Sequence, residues 1–284
     1  MMVASRIERT ETLSMERPSW VPAGIDLDRP NAARMYDYAL GGSHNFAVDR
    51  AMVEKVEEMM PGASLVAHVN RAFLHRAVRF LLAAGVRQFL DLGSGIPTVG
   101  NVHEVAQAID PRSRVAYVDV DPVAVAHSRT ILVDNEYATA VHGDARRPAD
   151  ILADPEVTRL LDLTQPVAVL LIAVLHFVPD ADDPAGLVAQ LYDRVAPGSY
   201  LAISHGCPDD NPTAAASVRQ AYQQTATPLT LRTRPEVERL FDRFELVEPG
   251  VTGVTAWRPE ATERAEPERR EMVAGVGRKP AKLV

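Results

Sequence analysis

The stretch RQFLDLGSGIPT, residues 87–98, decides the fold. Its apolar part, QFLDL, has strand length and contains Asp91, and glycines follow at 93 and 95. Glycine tolerates positive φ and lets a second backbone or a ligand come close. Two such residues alone make a tight turn. Between a strand and a helix, they make a cradle for a ligand.

The flanking sequence supplies that context. Upstream, Phe73, Leu74, Ala77, Val78 and Leu81 recur at three-to-four spacing, which predicts a helix over 64–84 with one apolar face. Gly85 is suited to end it. Another helix is expected over 47–60. Downstream, Val102, Val105, Ala106 and Ile109 share a face over 101–109, with Asn101 and Glu104 as a capping pair. The strand RVAYVDV, a helix over 122–131 and the weak strand ATAVHGD come next. A helical segment over 148–161 leads to PVAVLLIAVLHFV, which is apolar without alternation, as a central strand covered on both faces should be. A helix over 184–195 precedes the strand GSYLAISHG.

Parallel strands are therefore expected to begin near 88, 115, 139, 167 and 199. Further on, 212–224 reads as helical, RPEVERLF as a short helix and FELVE as a strand. MVAGVGRK carries no charge before Arg278, and predicts an antiparallel return over 272–278. Strands alternating with helices at this spacing give an α/β fold with an open, mostly parallel sheet and an antiparallel last strand. The organisation expected is a flexible leader over 1–20, an N-terminal helical arm packed on the core over 21–86, and an α/β domain over 87–284. The last includes the charged PEATERAEPERRE, 259–271, expected to be a mobile insertion.

Composition narrows the function. Of 284 residues, 46% are hydrophobic, enough for a substantial core. Acidic residues exceed basic ones for a net charge of −8, which argues against tracking a nucleic-acid backbone. The single cysteine, Cys207, excludes a disulfide framework within the chain and fits a reducing, cytoplasmic setting. No run reaches membrane-spanning length, and MMVASRIERTETLS lacks the apolar region of a secretory signal.

In an open sheet of this kind, ligands bind beyond the carboxyl ends of the strands. Asp91, Asp119, Asp144, His176 and His205 all fall at such ends. A nicotinamide fingerprint requires Gly-x-Gly-x-x-Gly, but the third glycine position after Gly93 and Gly95 is Thr98. The pyrophosphate cradle is therefore poor. Asp119 could accept hydrogen bonds from both hydroxyls of a ribose, or could with Asp121 cap the next helix.

At this point FLDLGSGIPT, AYVDVDP and VHGDAR together resemble the class I S-adenosylmethionine-dependent methyltransferases. RPNAARMYDYALGGSHNFAVDR, NVHEVAQAIDP and AVLHFVPD narrow the resemblance to an actinobacterial family long described as a domain of unknown function, over about residues 22–280. The resemblance implies a Rossmann-like methyltransferase sheet and S-adenosylmethionine as cofactor. It also implies roles. Asp91, Gly93 and Gly95 would form the loop near the amino-acid part of the ligand. Asp119 would hold the ribose, Asp144 and Ala145 would meet the adenine, and Ala173 and Val174 would flank the methionine, with His176 near the methyl donor. The usual three-glycine loop here reads Gly-Ser-Gly-Ile-Pro, and Pro97 removes an N–H from it.

The acceptor side is less determined. Tyr36, Tyr38, Gly41, Gly42, His44, Asn45 and Phe46 form a dense arm that either covers the cofactor as a lid or pins the extension to the core, with Arg34 and Asp37 able to pair. His176 and His205 follow neighbouring strands and are candidate general bases; a metal site is not expected. A small-molecule acceptor fits better than nucleic acid. The competing readings are a noncatalytic nucleotide- or S-adenosylmethionine-binding module and a nicotinamide-dependent oxidoreductase.

Overall fold

The computed structural model describes residues 25–98, 100–260 and 269–281. The expected leader and residues 261–268 of the charged insertion lie outside the described residues.

Three helices precede the sheet: α1 (Ala32–Ala39), α2 (Ala47–Met59) and α3 (Ala63–Ala83). The alternating part runs β1 (Gln88–Leu92), α4 (Val102–Ile109), β2 (Arg114–Asp119), α5 (Pro122–Ile131) and β3 (Ala138–His142). It continues with α6 (Pro148–Ala153), α7 (Pro155–Leu160), β4 (Ala168–Ile172), α8 (Pro184–Arg194) and β5 (Tyr200–Gly206). The chain then forms α9 (Pro212–Tyr222), α10 (Arg234–Arg239), β6 (Glu245–Leu246), β7 (Thr252–Gly253) and β8 (Met272–Arg278).

The strand order is β3-β2-β1-β4-β5-β8-β6, with β7 also pairing β8. β1 to β5 are mutually parallel, and β8 runs antiparallel to β5. The order reverses at β1, whose neighbours are β2 and β4, and this opens a crevice beyond its carboxyl end. Both sheet faces are covered. Phe73, Ala77, Val78 and Leu81 of α3 pack on one face, and Ile151, Val157, Leu187 and Leu191 of α6–α8 on the other. Each such large apolar side chain contributes roughly 1.5–3 kcal/mol on burial.

Local chemistry explains the departures from the sequence expectations. The segment expected as one helix over 148–161 is two, because Asp154 accepts the N–H groups of Glu156 and Val157 and caps α7, while Pro155 cannot donate to the preceding turn. α1 was not foreseen inside the arm; its eight residues are too few for a periodic signal, and Asn31 caps it by accepting the N–H of Ala33 at 2.8 Å. A separate apolar cluster joins α1 and α2 to the distant α9 through Met35, Val53, Val56, Val218 and Leu229. Among the described residues, no helix is long and apolar enough to cross a membrane.

Candidate active site

A cavity of about 610 Å³ lies beyond the carboxyl ends of β1 to β5, with α1, α2 and α9 as its roof. Its floor is set by the loop after β1. Gly93 has φ +69°, and a Cβ there would stand 2.5 Å from Cγ2 of Val174, so close packing against the end of β4 demands glycine. Gly95 has φ +68° and nothing within 4 Å of a Cβ position, so the space beside it is open to a ligand.

Asp119 is held by the same loop. Its Oδ2 accepts the N–H of Gly95 at 2.7 Å and its Oδ1 that of Asp121 at 2.8 Å. Each oxygen keeps a lone pair for a ligand hydroxyl. Burial pushes the carboxyl up to about 6 despite these bonds. Burial drives Asp91 further, to about 7, with Arg71 opposing and Asp119 reinforcing the shift. Arg71 reaches from α3 to donate to Thr98 Oγ1 at 3.2 Å, while its buried Nε has no partner among the described residues. A cation and two acids thus meet at one end of the cavity. Arg71 escaped the sequence reading, since nothing before the fold connects it to Thr98.

Ala145, Ala173 and Val174 also line the cavity. Ala173 has φ +58°, and its N–H donates to Ser204 Oγ at 2.9 Å. Asp144 lines it too, but its carboxylate is already engaged. Both oxygens accept from Arg146 Nε at 3.0 Å, and Arg146 Nη1 extends to Asp182 at 3.0 Å. The bonds from Arg146 hold the Asp144 carboxyl below its ordinary value.

The arm divides. Tyr36 lines the cavity, and its hydroxyl, which donates to Ala67 O and accepts from Asn70 Nδ2 (both 3.0 Å), pins α1 to α3. Tyr38, Gly41, Gly42, His44, Asn45 and Phe46 do not line it. The Tyr38 hydroxyl donates to Glu54 Oε1 at 3.3 Å, and residues 41–46 build a turn around two buried acids. Asp37 accepts from the N–H of His44 at 2.8 Å and Asn45 Nδ2 at 2.9 Å, and any Cβ on Gly42 would clash with it. Asp49 accepts from the N–H of Phe46 at 2.9 Å and pairs with Arg34 at 3.0 Å. The expected Arg34–Asp37 pairing is thereby replaced, because Asp37 is turned to the glycine loop.

The two histidines are neighbours, yet only His176 lines the cavity. His205 is fully buried, and Arg232 Nη1 donates to its Nε2 at 3.0 Å. It therefore does not share the pocket as expected, and its outer nitrogen is unavailable as a base. Burial pushes His205 down to about 4 and holds His176 well below its ordinary value, so both rings are neutral near pH 7. Cys207 borders the cavity as a thiol, pushed up to about 11 by burial.

The far half of the cavity is apolar. Met35, Val56 and Met60 face Val218, Tyr222 and Leu229 across it. The sequence reading missed this wall; the only signal was the helical spacing of Ala215, Val218 and Tyr222. Among the described residues, no group of three His, Cys, Asp or Glu side chains is placed to hold a metal ion.

Residues 18–280 match the model of a family described as S-adenosyl methyltransferase. A candidate methyltransferase of solved structure from Thermobifida fusca YX is 40% identical, with a TM-score of 0.86 over 93% of this chain and 100% of that one. A DUF574 family protein from Streptomyces avermitilis MA-4680 is also 40% identical, with a TM-score of 0.86 over 90% of this chain and 99% of that one. No curated protein matches.

Proposed function

Because the chain belongs to the S-adenosyl methyltransferase family, we propose that its cavity holds S-adenosylmethionine on the floor and a small acceptor with an apolar body under the roof. That the protein is an S-adenosylmethionine-dependent methyltransferase follows from the family. The observation that supports this division is the continuity of the cavity from Asp119 to the apolar wall of α1, α2 and α9.

The residues present suit the cofactor. The two backbone N–H groups on Asp119 fix its carboxylate, whose remaining lone pairs suit a ribose diol. The open space beside Gly95 admits the ligand close to the backbone. Arg71 and Asp91 offer opposite charges for the carboxylate and ammonium of the amino-acid end. Ala173 and Val174 would flank the methionine chain, and Ala145 with Asp144 the adenine. The bound cofactor supplies an electrophilic methyl group on its sulfonium. The chain's part is to align an acceptor with that methyl and to exclude water, and the apolar roof serves the second purpose.

The acids along the floor disfavour a pyrophosphate, against the nicotinamide reading. A module that only bound cofactor would have no use for the apolar chamber beyond it. The free Cys207 thiol accords with a reducing, cytoplasmic setting.

The test is titration calorimetry with S-adenosylhomocysteine. Asp119→Ala is expected to weaken binding by about 1–3 kcal/mol, the scale of lost charge-assisted hydrogen bonds. Unchanged affinity in that variant would refute the placement of the ribose.

A further inference from the structure

His176 and His205 stand with ring centroids 5.4 Å apart at 85°, and their hydrogen bonds run in opposite senses. His205 Nδ1 lies 2.8 Å from the carbonyl oxygen of Gly206, so this nitrogen carries the proton, and its Nε2 lone pair goes to Arg232. His176 Nδ1 instead accepts the backbone N–H of Gly206 at 3.1 Å. A neutral imidazole carries one proton, so at His176 it sits on Nε2. The two polar groups of one glycine thus select opposite tautomers in neighbouring rings.

In the common arrangement of a histidine general base, Nδ1–H is held by a carboxylate or carbonyl and the Nε2 lone pair is turned to substrate. His176 is the reverse. Its Nε2 has no hydrogen-bond partner among the described residues, and the ring lines the cavity, so the Nε2–H is the ring's donor left for a ligand. A second proton, on Nδ1, would face the N–H of Gly206. The charged and polar neighbours of the ring, His205 and the Arg232 guanidinium, both disfavour an imidazolium there.

Other proton acceptors are poorly placed for the acceptor. Asp91, Asp119 and Asp121 lie on the floor, where Asp121 caps α5 by accepting the N–H of Val123, and Asp144 is bound by Arg146. Glu271, on the cavity wall, stands 3.7 Å from Arg269. Cys207 and Tyr222 retain their protons at neutral pH, burial having pushed them up to about 11 and about 12.

We propose that His176 is a fixed hydrogen-bond donor to the methyl acceptor, and that the acceptor is an apolar organic acid entering as its carboxylate. This rests on the methyltransferase reading above. One carboxylate oxygen accepts the His176 Nε2–H. A lone pair of the other forms the new O–CH3 bond as the S–CH3 bond breaks, its electron pair passing to sulfur. The products are a methyl ester and a thioether, and no proton is released. A neutral alcohol or amine would release one, and His176 has no lone pair placed to take it. The apolar wall of Met35, Val56, Val218 and Leu229 suits the body of the acid.

The experiment uses the full chain saturated with S-adenosylhomocysteine, which first establishes that the cofactor binds. Octanoate, octanol and octylamine are then titrated while the His176 ring nitrogens are followed by 15N NMR. The expected tautomer is neutral Nε2–H throughout the neutral range. Octanoate is expected to bind at least about tenfold tighter than the other two, the scale of one charge-assisted hydrogen bond, and to shift the Nε2–H resonance. His176→Phe should abolish that preference with cofactor affinity unchanged, and His176→Gln should restore part of it. An Nδ1–H tautomer, or octanoate binding no tighter than octanol, would overturn the proposal and leave the cofactor assignment standing. If His176→Phe fails to fold, the wild-type tautomer and binding order still decide.

Discussion

The floor and the roof of the cavity are held by different forces. On the floor, backbone groups fix the polar elements: Gly93 donates to Val118 O at 2.7 Å, Asp119 takes two N–H groups, and the N–H of Ala173 meets Ser204. On the roof, Met35, Val53, Val56, Val218 and Leu229 meet by apolar packing across α1, α2 and α9. The Thr227 Oγ1 that borders this region has no partner among the described residues. Fixed dipoles recognise one ligand with little reorganisation. An apolar wall that includes methionines adapts its shape and discriminates chiefly by fit. Cofactor choice thus belongs to the floor, and acceptor choice to the roof and the His176 N–H at their junction.

Gly93 is the sharpest place to break this division. Alanine there carries two costs: a left-handed conformation, worth roughly 1–2 kcal/mol, and a Cβ set 2.5 Å from Val174. Gly93→Ala is expected to lower affinity for S-adenosylhomocysteine by about a hundredfold or more in calorimetry, near 3 kcal/mol. Wild-type affinity in that variant would show that the floor yields as readily as the roof.

A smaller effect is expected from the charge on Asp91. Its carboxyl is pushed from 3.8 up to about 7, chiefly by burial. The folded chain therefore holds this proton more tightly than the unfolded chain. The resulting stability is fully present below the unfolded value and is lost as pH rises through about 7. Asparagine does not ionise. In thermal melts without ligand, Asp91→Asn should gain stability relative to wild type, by a few degrees, as pH is raised across that interval. The same variant should bind S-adenosylhomocysteine more weakly, because the ammonium end loses its counter-charge. A difference in melting temperature that stays constant with pH would mean that Asp91 is not strained in the free protein.

These two halves also differ in what the sequence disclosed. The floor lies at the ends of consecutive strands, and a strand–glycine–helix pattern places such ends together whatever packs above them. Asp91, Gly93, Gly95 and Asp119 could therefore be named in advance, and all of them border the cavity. The antiparallel β8 was legible as well, since the apolar run over 272–278 needs a buried edge to pair with. The roof depends on α9 meeting α2 some 160 residues away, and no local pattern encodes that contact. Arg71 illustrates the same limit, because it is an ordinary polar residue of α3 until the fold brings it to Asp91. The arm's GGSHNF turn was conspicuous for its chemistry, but its donors bond to Asp37 and Asp49 and not into the cavity.

The smallest expected effect concerns Asp144, where floor residues reach solvent. The carboxylate is shared with Arg146, which also holds Asp182, and these side chains are a quarter to a half exposed. Exposed pairs of this kind contribute about 0–1 kcal/mol and weaken with salt. If the pair only closes the rim, Asp144→Ala should change affinity for S-adenosylhomocysteine by less than about fivefold, and Arg146→Ala should match it. Both differences should shrink as salt is raised. The alternative gives a different pattern. If Asp144 turns from Arg146 to the adenine amino group on binding, Asp144→Ala should approach the loss seen for Asp119→Ala, while Arg146→Ala should bind as well as wild type or better. Calorimetry of the two variants at low and high salt separates these outcomes. Equal and small losses would confine tight recognition to the groups fixed by backbone, and a large loss at Asp144 alone would extend it to a side chain that must first break an ion pair.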